Sequence, residues 1–138
     1  VQTQIYDKSY TADQSVVTAA TQFAAVVVGA EDGGCAMPAG QNAPKFLGFA
    51  QTVPTILNAP VSVRKLGISR AIGFGVIHFG DHLAINSAAG DVYSIETAVE
   101  AGDQVTAANF YSVGTAETST VNNGDTVEVF VNPQAVTL

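Results

Sequence analysis

The sequence predicts a mainly β fold: a small β-barrel or β-sandwich with an extended N-terminal arm and little helix. Three observations carry that expectation. First, a hydrophobic-Gly-x-Ala segment followed by Val-x-Val occurs twice. It is Leu47-Gly48-Phe49-Ala50 with Val61-Ser62-Val63, and again Val113-Gly114-Thr115-Ala116 with Val127-Glu128-Val129. The spacing from Ala to Val is 11 in both copies, 61 − 50 and 127 − 116. Second, a Gly-Asp pair recurs at 80–81, 102–103 and 124–125, 22 residues apart each time. Third, short β-branched runs alternate with Gly, Pro and Asn, the punctuation of strands joined by turns.

Composition sets the outer limits. The protein has 138 residues, 47% hydrophobic and 12% charged, which suits one domain with a real core and not a disordered polypeptide. Net charge is −7, with twelve acids against Lys8, Lys45, Arg64, Lys65 and Arg70. That balance argues against nucleic acid as a partner, because binding phosphates needs a basic surface. It argues equally against an anionic membrane surface. The longest purely apolar run is 23–30, against roughly 20 residues for a spanning helix. Cys35 is the single cysteine, so no intrachain disulfide forms and stability rests on packing or oligomerisation.

Residues 1–20 show neither a period of two nor one of 3.6 and are expected to form the arm, with a short helix possible over 13–21. Ile5, Tyr6 and Tyr10 are its large apolar groups. The remainder, 21–138, is expected to be a single β-rich domain with an internal duplication, about 46–66 and 112–132. Phe23 to Val28 is apolar on both faces and predicts a central strand, closed by the turn signal Gly29 to Gly34. Cys35 to Pro44 is expected to be a loop. Lys45 to Thr52 predicts a strand, and Val53 to Pro60 a connection whose prolines limit pairing. Val61 to Ile72 predicts a long strand. Its alternation slips near Lys65, which places a bulge or bend at Lys65–Gly67. Gly80 to Ile85 starts a new strand, and Val92 to Ile95 is expected as its hairpin partner across the turn Ala88 to Asp91.

In each Gly-Asp pair, Gly permits the sharp turn, Asp is expected to bond the backbone two residues on, and the strand opens with Leu83, Val105 or Val127. In the first copy of the duplicated pattern Asn58 stands where the second has Gly124. Asn tolerates the left-handed conformation, so the turn is expected to survive.

Sites of chemistry are sparse. His78 and His82 are four apart, but Gly80 and Asp81 between them mark a turn, and no third ligand is indicated, so ordinary turn histidines are the simpler reading. Cys35 has no helix N-terminus or cation beside it to activate a thiol. Gly67-Ile68-Ser69-Arg70-Ala71 lacks the closing glycine of a nucleophile elbow, and Gly73-x-Gly75 lacks the third glycine of a dinucleotide fingerprint. Asp81, Asp103 and Asp125 are explained by turns, with weak calcium binding as the alternative. No catalytic residue, cofactor or metal is expected, and a small hydrolase or metal-dependent enzyme is the least supported class. Arg64, Lys65 and Arg70 fall within seven residues. They serve either as edge-strand protection or as a positive patch for an acidic neighbour or a second copy.

The hydrophobic-Gly-x-Ala pattern, its Val-x-Val partner, the Gly80-Asp81-x-Leu83 strand and Ala88-Ala89-Gly90-Asp91-Val92-Tyr93 together resemble small phage capsid decoration (cement) proteins, including the DUF2190-like group. The resemblance covers about residues 26 to 131. The first copy departs from it with Ala59-Pro60 where the second has Asp125-Thr126. The resemblance implies a β-rich homotrimer on the outer surface of a virion, bound to the major capsid protein, with no catalysis and no cofactor. Ile5, Tyr6, Tyr10, Arg64, Lys65 and Arg70 are then the expected capsid or subunit contacts, the arm docking by strand addition. The alternative class is a β-rich adhesion or fibre-type module of a virion or cell surface.

Overall fold

A computed structural model describes residues 5–100 and 109–137. The described residues form β1 (Tyr6–Ala12), α1 (Gln14–Ala19), β2 (Ala25–Val28), β3 (Gly34–Ala36), β4 (Phe46–Ala50), β5 (Pro60–Ile72), β6 (His82–Ile85), β7 (Val92–Ser94), α2 (Ile95–Glu100), β8 (Asn109–Ala116) and β9 (Thr126–Thr137). The fold is mainly β, and its first part is a closed five-stranded barrel. Neighbours run β1-β3-β2-β4-β5, and β5 returns to pair with β1. All pairs are antiparallel except β1 with β3.

Residues 6–20, expected as an arm, are extended as far as Ala12 but lie within this ring. β1 runs antiparallel to β5 from Tyr6↔Leu66 to Thr11↔Pro60 and closes the barrel against β3. Tyr10, Ala12 and the α1 residue Val16 are buried in one cluster with Ala24, Val26, Cys35, Ala50, Val61 and Val63. The local sequence hid this because only Tyr10 and Ala12 of β1 face inward, too few to show a period. Two further corrections are local. Phe23 is not in the strand but at φ 70° in the turn before it, and the expected loop after Gly34 begins as the strand β3, paired on both sides by β1 and β2. α2 was not foreseen.

The second half repeats the first with β5 as its opening strand. β5 residues 67–72 pair with β9, β9 with β8, β8 with β6 and β6 with β7. An isolated parallel bridge, Gly73↔Val92, joins the end of β5 back to β7, as Ala12↔Cys35 joins β1 to β3. Registers match residue by residue. Ala50↔Val63 corresponds to Ala116↔Val129, both members 66 later (116 − 50, 129 − 63). Val26↔Gly48 corresponds to Leu83↔Gly114, and each ladder slips immediately after that pair. Thr11↔Pro60 corresponds to Ile72↔Thr126. The inner side chains correspond as well. Val16, Val26, Cys35, Val61 and Val63 are answered in the second cluster by Ile77, Leu83, Val92, Val127 and Val129. Burying each such aliphatic side chain stabilises by about 1.5–3 kcal/mol.

β5 is therefore one 13-residue strand serving two rings. Its register against β1 jumps from Asp7↔Arg64 to Tyr6↔Leu66, which leaves Lys65 as the extra residue of a bulge, followed by Gly67 at φ 96°. This is the bend expected at Lys65–Gly67. Which side chains face inward beyond it was not legible. Gly67, Ser69 and Ala71 are buried, while the larger Leu66 and Ile68 are not.

The turns repeat too. The His78 carbonyl accepts from the Asp81 N–H at 3.0 Å and the Asn122 carbonyl from the Asp125 N–H at 3.2 Å, with Gly80 and Gly124 at φ near 90° between them. In the first ring the Ile56 carbonyl accepts from the Ala59 N–H at 3.1 Å, and Asn58 stands at φ 65° in the glycine's place. The carboxylates act differently from expectation. Asp81 and Asp125 each accept from the backbone N–H three residues earlier, at 2.9 and 3.0 Å. The third pair, Gly102-Asp103, lies outside the described residues.

Candidate functional site

The crossover of β5, where β4 gives way to β9, holds a half-open cavity of about 290 Å³. Its lining is Phe23, Gln51, Arg64, Ile68, Ser69, Arg70 and Glu128. Local structure explains each position. Arg64 precedes the bulge and leaves the ladder on the outer face. Its Nε and Nη2 donate to Asp7 of β1 at 2.9 and 3.2 Å, and Nη1 donates to the Ile68 carbonyl at 3.1 Å. The backbone bends at Gly67 just enough to bring that carbonyl within reach of its own upstream side chain. Gln51 caps the end of β4, and its amide donates to the Phe49 carbonyl at 3.0 Å and to Ser69 Oγ at 2.9 Å. Ser69 in turn donates to the Arg70 carbonyl. Arg70 is exposed and stands opposite Glu128 in the β5–β9 ladder.

The structure divides the basic cluster read from sequence. Arg64 and Arg70 share the cavity, whereas Lys65 turns to the other side. There Lys65 Nζ donates to Tyr10 Oη at 2.5 Å, and Lys8 and Lys65 both lie over the Tyr10 ring, 5.4 and 5.2 Å from its centre. Tyr10 is thus a core residue with a polar tip, not an exposed anchor. Ile5 and Tyr6 are exposed, with Tyr6 opposite Leu66. Asp7, Gln51, Ser69, Glu128 and Phe23 were not assigned to a site from the sequence, although Ser69 was weighed as a nucleophile and Glu128 lies in the second Val-x-Val. Gln51, Ser69, Glu128 and Phe23 line the cavity and Asp7 holds Arg64, from strands and turns far apart in the sequence.

The other candidates resolve into structural roles. His78 and His82 do not converge. His82 Nδ1 lies 2.6 Å from Glu96 Oε1, and its backbone N–H donates to Oε2 of the same carboxylate at 2.8 Å, so β6 is tied to α2. Asp81 accepts from Ser94 Oγ at 2.6 Å as well as from its own turn. Among the described residues no three His, Cys, Asp or Glu side chains gather as a metal centre would require. Cys35 is fully buried; burial, reinforced by the charge of Asp13, pushes its thiol up to about 11. Such a thiol is neutral at physiological pH and a poor nucleophile.

Exposed apolar side chains gather at the turn end of each ring. In the first these are Val53, Ile56 and Leu57; in the second Phe74, Val76, Phe79 and Val121. The second set is braced. Ile77 and Thr120 exchange backbone hydrogen bonds at 3.0 and 2.9 Å, the Phe79 N–H donates to Ser119 Oγ at 3.0 Å, and the Gly75 N–H donates to Asn123 Oδ1 at 2.7 Å. No protein-family model matches the sequence, and no curated protein matches it.

Proposed function

We propose that this protein is a non-enzymatic capsid decoration protein, a homotrimer that binds the major capsid protein on the outer surface of a phage head and stabilises the shell. The observation that carries the reading is the two-ended display of apolar side chains. The first turn set adjoins Pro60 and the second adjoins Ile72, the two ends of β5. A strand of 13 residues spans on the order of 40 Å. Ile56 at 68% exposure, and Phe79 and Val121 at 71% and 69%, are open to solvent in the turns beyond the two ends of β5. Large exposed apolar groups mark interaction surfaces. A body with one such surface beyond each end of β5 is suited to bridging neighbouring subunits, and weak contacts repeated over a lattice add to strong attachment. The acidic net charge and the β framework are in keeping with the family that the sequence resembles.

Co-sedimentation with expanded, DNA-free phage heads tests the proposal. The wild-type protein should saturate the heads and raise the temperature at which they rupture. Ile56→Glu and Phe79→Glu, each still folded, should weaken binding by roughly tenfold or more, the scale of a buried anchor residue. Failure of the wild-type protein to sediment with heads, or unaltered binding by the double variant, refutes the reading and leaves the adhesion or fibre class.

A further inference from the structure

We propose that the cavity at the β5 crossover is a carboxylate socket, fitted to an acidic side chain or a terminal α-carboxylate presented by a protein partner. Part of its donor set is fixed before any ligand arrives. Arg64 is locked by Asp7 and by the Ile68 carbonyl. A guanidinium carries five N–H donors, so two remain beyond these three contacts. Arg70 forms no ion pair with any described residue. Asp7 balances Arg64 and Glu128 stands opposite Arg70, so the site carries no net charge and its attraction for an anion lies in the unused N–H groups of the two guanidiniums. That balance suits a monoanion and opposes a phosphate dianion. The planar guanidinium fork matches the two oxygens of a carboxylate.

The remaining lining fits the groups that flank a peptide carboxylate. Both amide hydrogens of Gln51 are engaged, by Phe49 and Ser69, which leaves its Oε1 to accept. With Glu128 it can receive the N–H of the adjoining peptide group, while Phe23 and Ile68 offer an apolar wall. About 290 Å³ lies at the small end of ligand sites and suits one side chain with its peptide groups. The repeat supplies a control within the molecule. Glycines and small or branched residues recur at matched positions, as Gly48 with Gly114 and Val63 with Val129. The socket residues do not: Phe130, Glu117 and Gly80 stand where the first ring has Arg64, Gln51 and Phe23. The scaffold folds without this set of side chains, so scaffold need does not account for them.

The inference does not rest on capsid binding and is tested on the isolated protein. The ¹⁵N-labelled protein is titrated with N-acetylglutamate α-amide, N-acetylglycine, N-acetylglutamine α-amide and inorganic phosphate. The side-chain N–H signals of Arg64, Arg70 and Gln51 are followed. One or both carboxylates should shift these signals saturably and the glutamine amide should not. A stronger response to the first probe identifies an acidic side chain as the natural ligand, and to the second a terminal α-carboxylate. R70Q should weaken carboxylate binding roughly tenfold, as loss of a charge-assisted pair does, with Tm unchanged. R70K, which keeps the charge and loses the fork, should weaken it too and serves if R70Q does not fold. Absence of a saturable shift, tighter binding of phosphate than of either carboxylate, or wild-type affinity in R70K overturns the proposal.

Discussion

Gly48 and Gly114 show how a single missing atom fixes a register. A Cβ on Gly48 would stand 2.2 Å from the Arg64 carbonyl oxygen, and one on Gly114 2.1 Å from that of Phe130. Both obstacles are backbone atoms of the next strand, so relief means moving a ladder. We expect Gly114→Ala to destabilise by about 3 kcal/mol, the upper range of overpacking, in urea unfolding. Gly80→Ala, where a Cβ meets nothing but φ is 90°, should cost only about 1 kcal/mol. Cys35 sets a second expectation. Its folded thiol titrates near 11, above the 9.0 of an ordinary thiol, so the fold favours the neutral form. That stability is whole below pH 9 and is lost as pH climbs through 11. Burial raises the Tyr93 phenol from 10.0, opposed by its bond to Asn42, and adds loss in the same direction. Tm should therefore fall between pH 9 and 11, and Cys35→Ser should flatten the fall. The duplicated glycines were visible in the sequence because the close approach they permit leaves no other residue type. The neutral thiol was foreseen only as an absence of activating neighbours.

At the scale of elements, β1 is where sequence and structure part furthest. Most of its residues face solvent, so its composition resembles a tail, yet its backbone closes a barrel on two sides. Deleting residues 1–12 should abolish cooperative thermal unfolding, read by near-ultraviolet circular dichroism, because it exposes the edges of β3 and β5 and opens the Val16–Val61 cluster. A deletion that leaves Tm within a few degrees would show β1 to be dispensable. The strands around the doubled motif were legible, since small residues and alternating valines recur at equal spacing. α1 and α2 were not. The two helices lie in gaps that do not correspond: the α1 residue Val16 fills the place of Ile77, which is instead held by its bridge to Thr120. Pro54, at the position matching Thr120, has no N–H to offer such a bridge, and in the first ring α1 stands in the place matching Ile77.

At the scale of the molecule, β5 makes the rings interdependent. Unit 6–66 lacks nothing in its own ring, but its last strand continues as the first wall of the next. Additional ties cross between them: the Ala25 N–H donates to the Gly90 carbonyl at 2.9 Å, the Asn42 N–H to the Ile85 carbonyl at 2.9 Å, and Tyr93 Oη to Asn42 Oδ1 at 2.5 Å. One denaturation transition is expected, with tyrosine fluorescence and far-ultraviolet circular dichroism coinciding; two separated midpoints would show the rings to unfold independently. The junction cavity was the least legible feature. Of its residues only Glu128 lies inside a copy of the motif, and the set meets only because one strand passes from ring to ring.

That passage also sets an order of assembly during synthesis. When residue 66 has left the ribosome, every partner of the first ring exists. The stretch Gly67 to Ile72 does not acquire its ladder partner until residues 126–131 are made. For that interval it is an unclaimed strand segment, the kind that recruits wrong partners in a crowded cell. Arg70 stands near its middle, and a charge there acts as a gatekeeper against premature stacking.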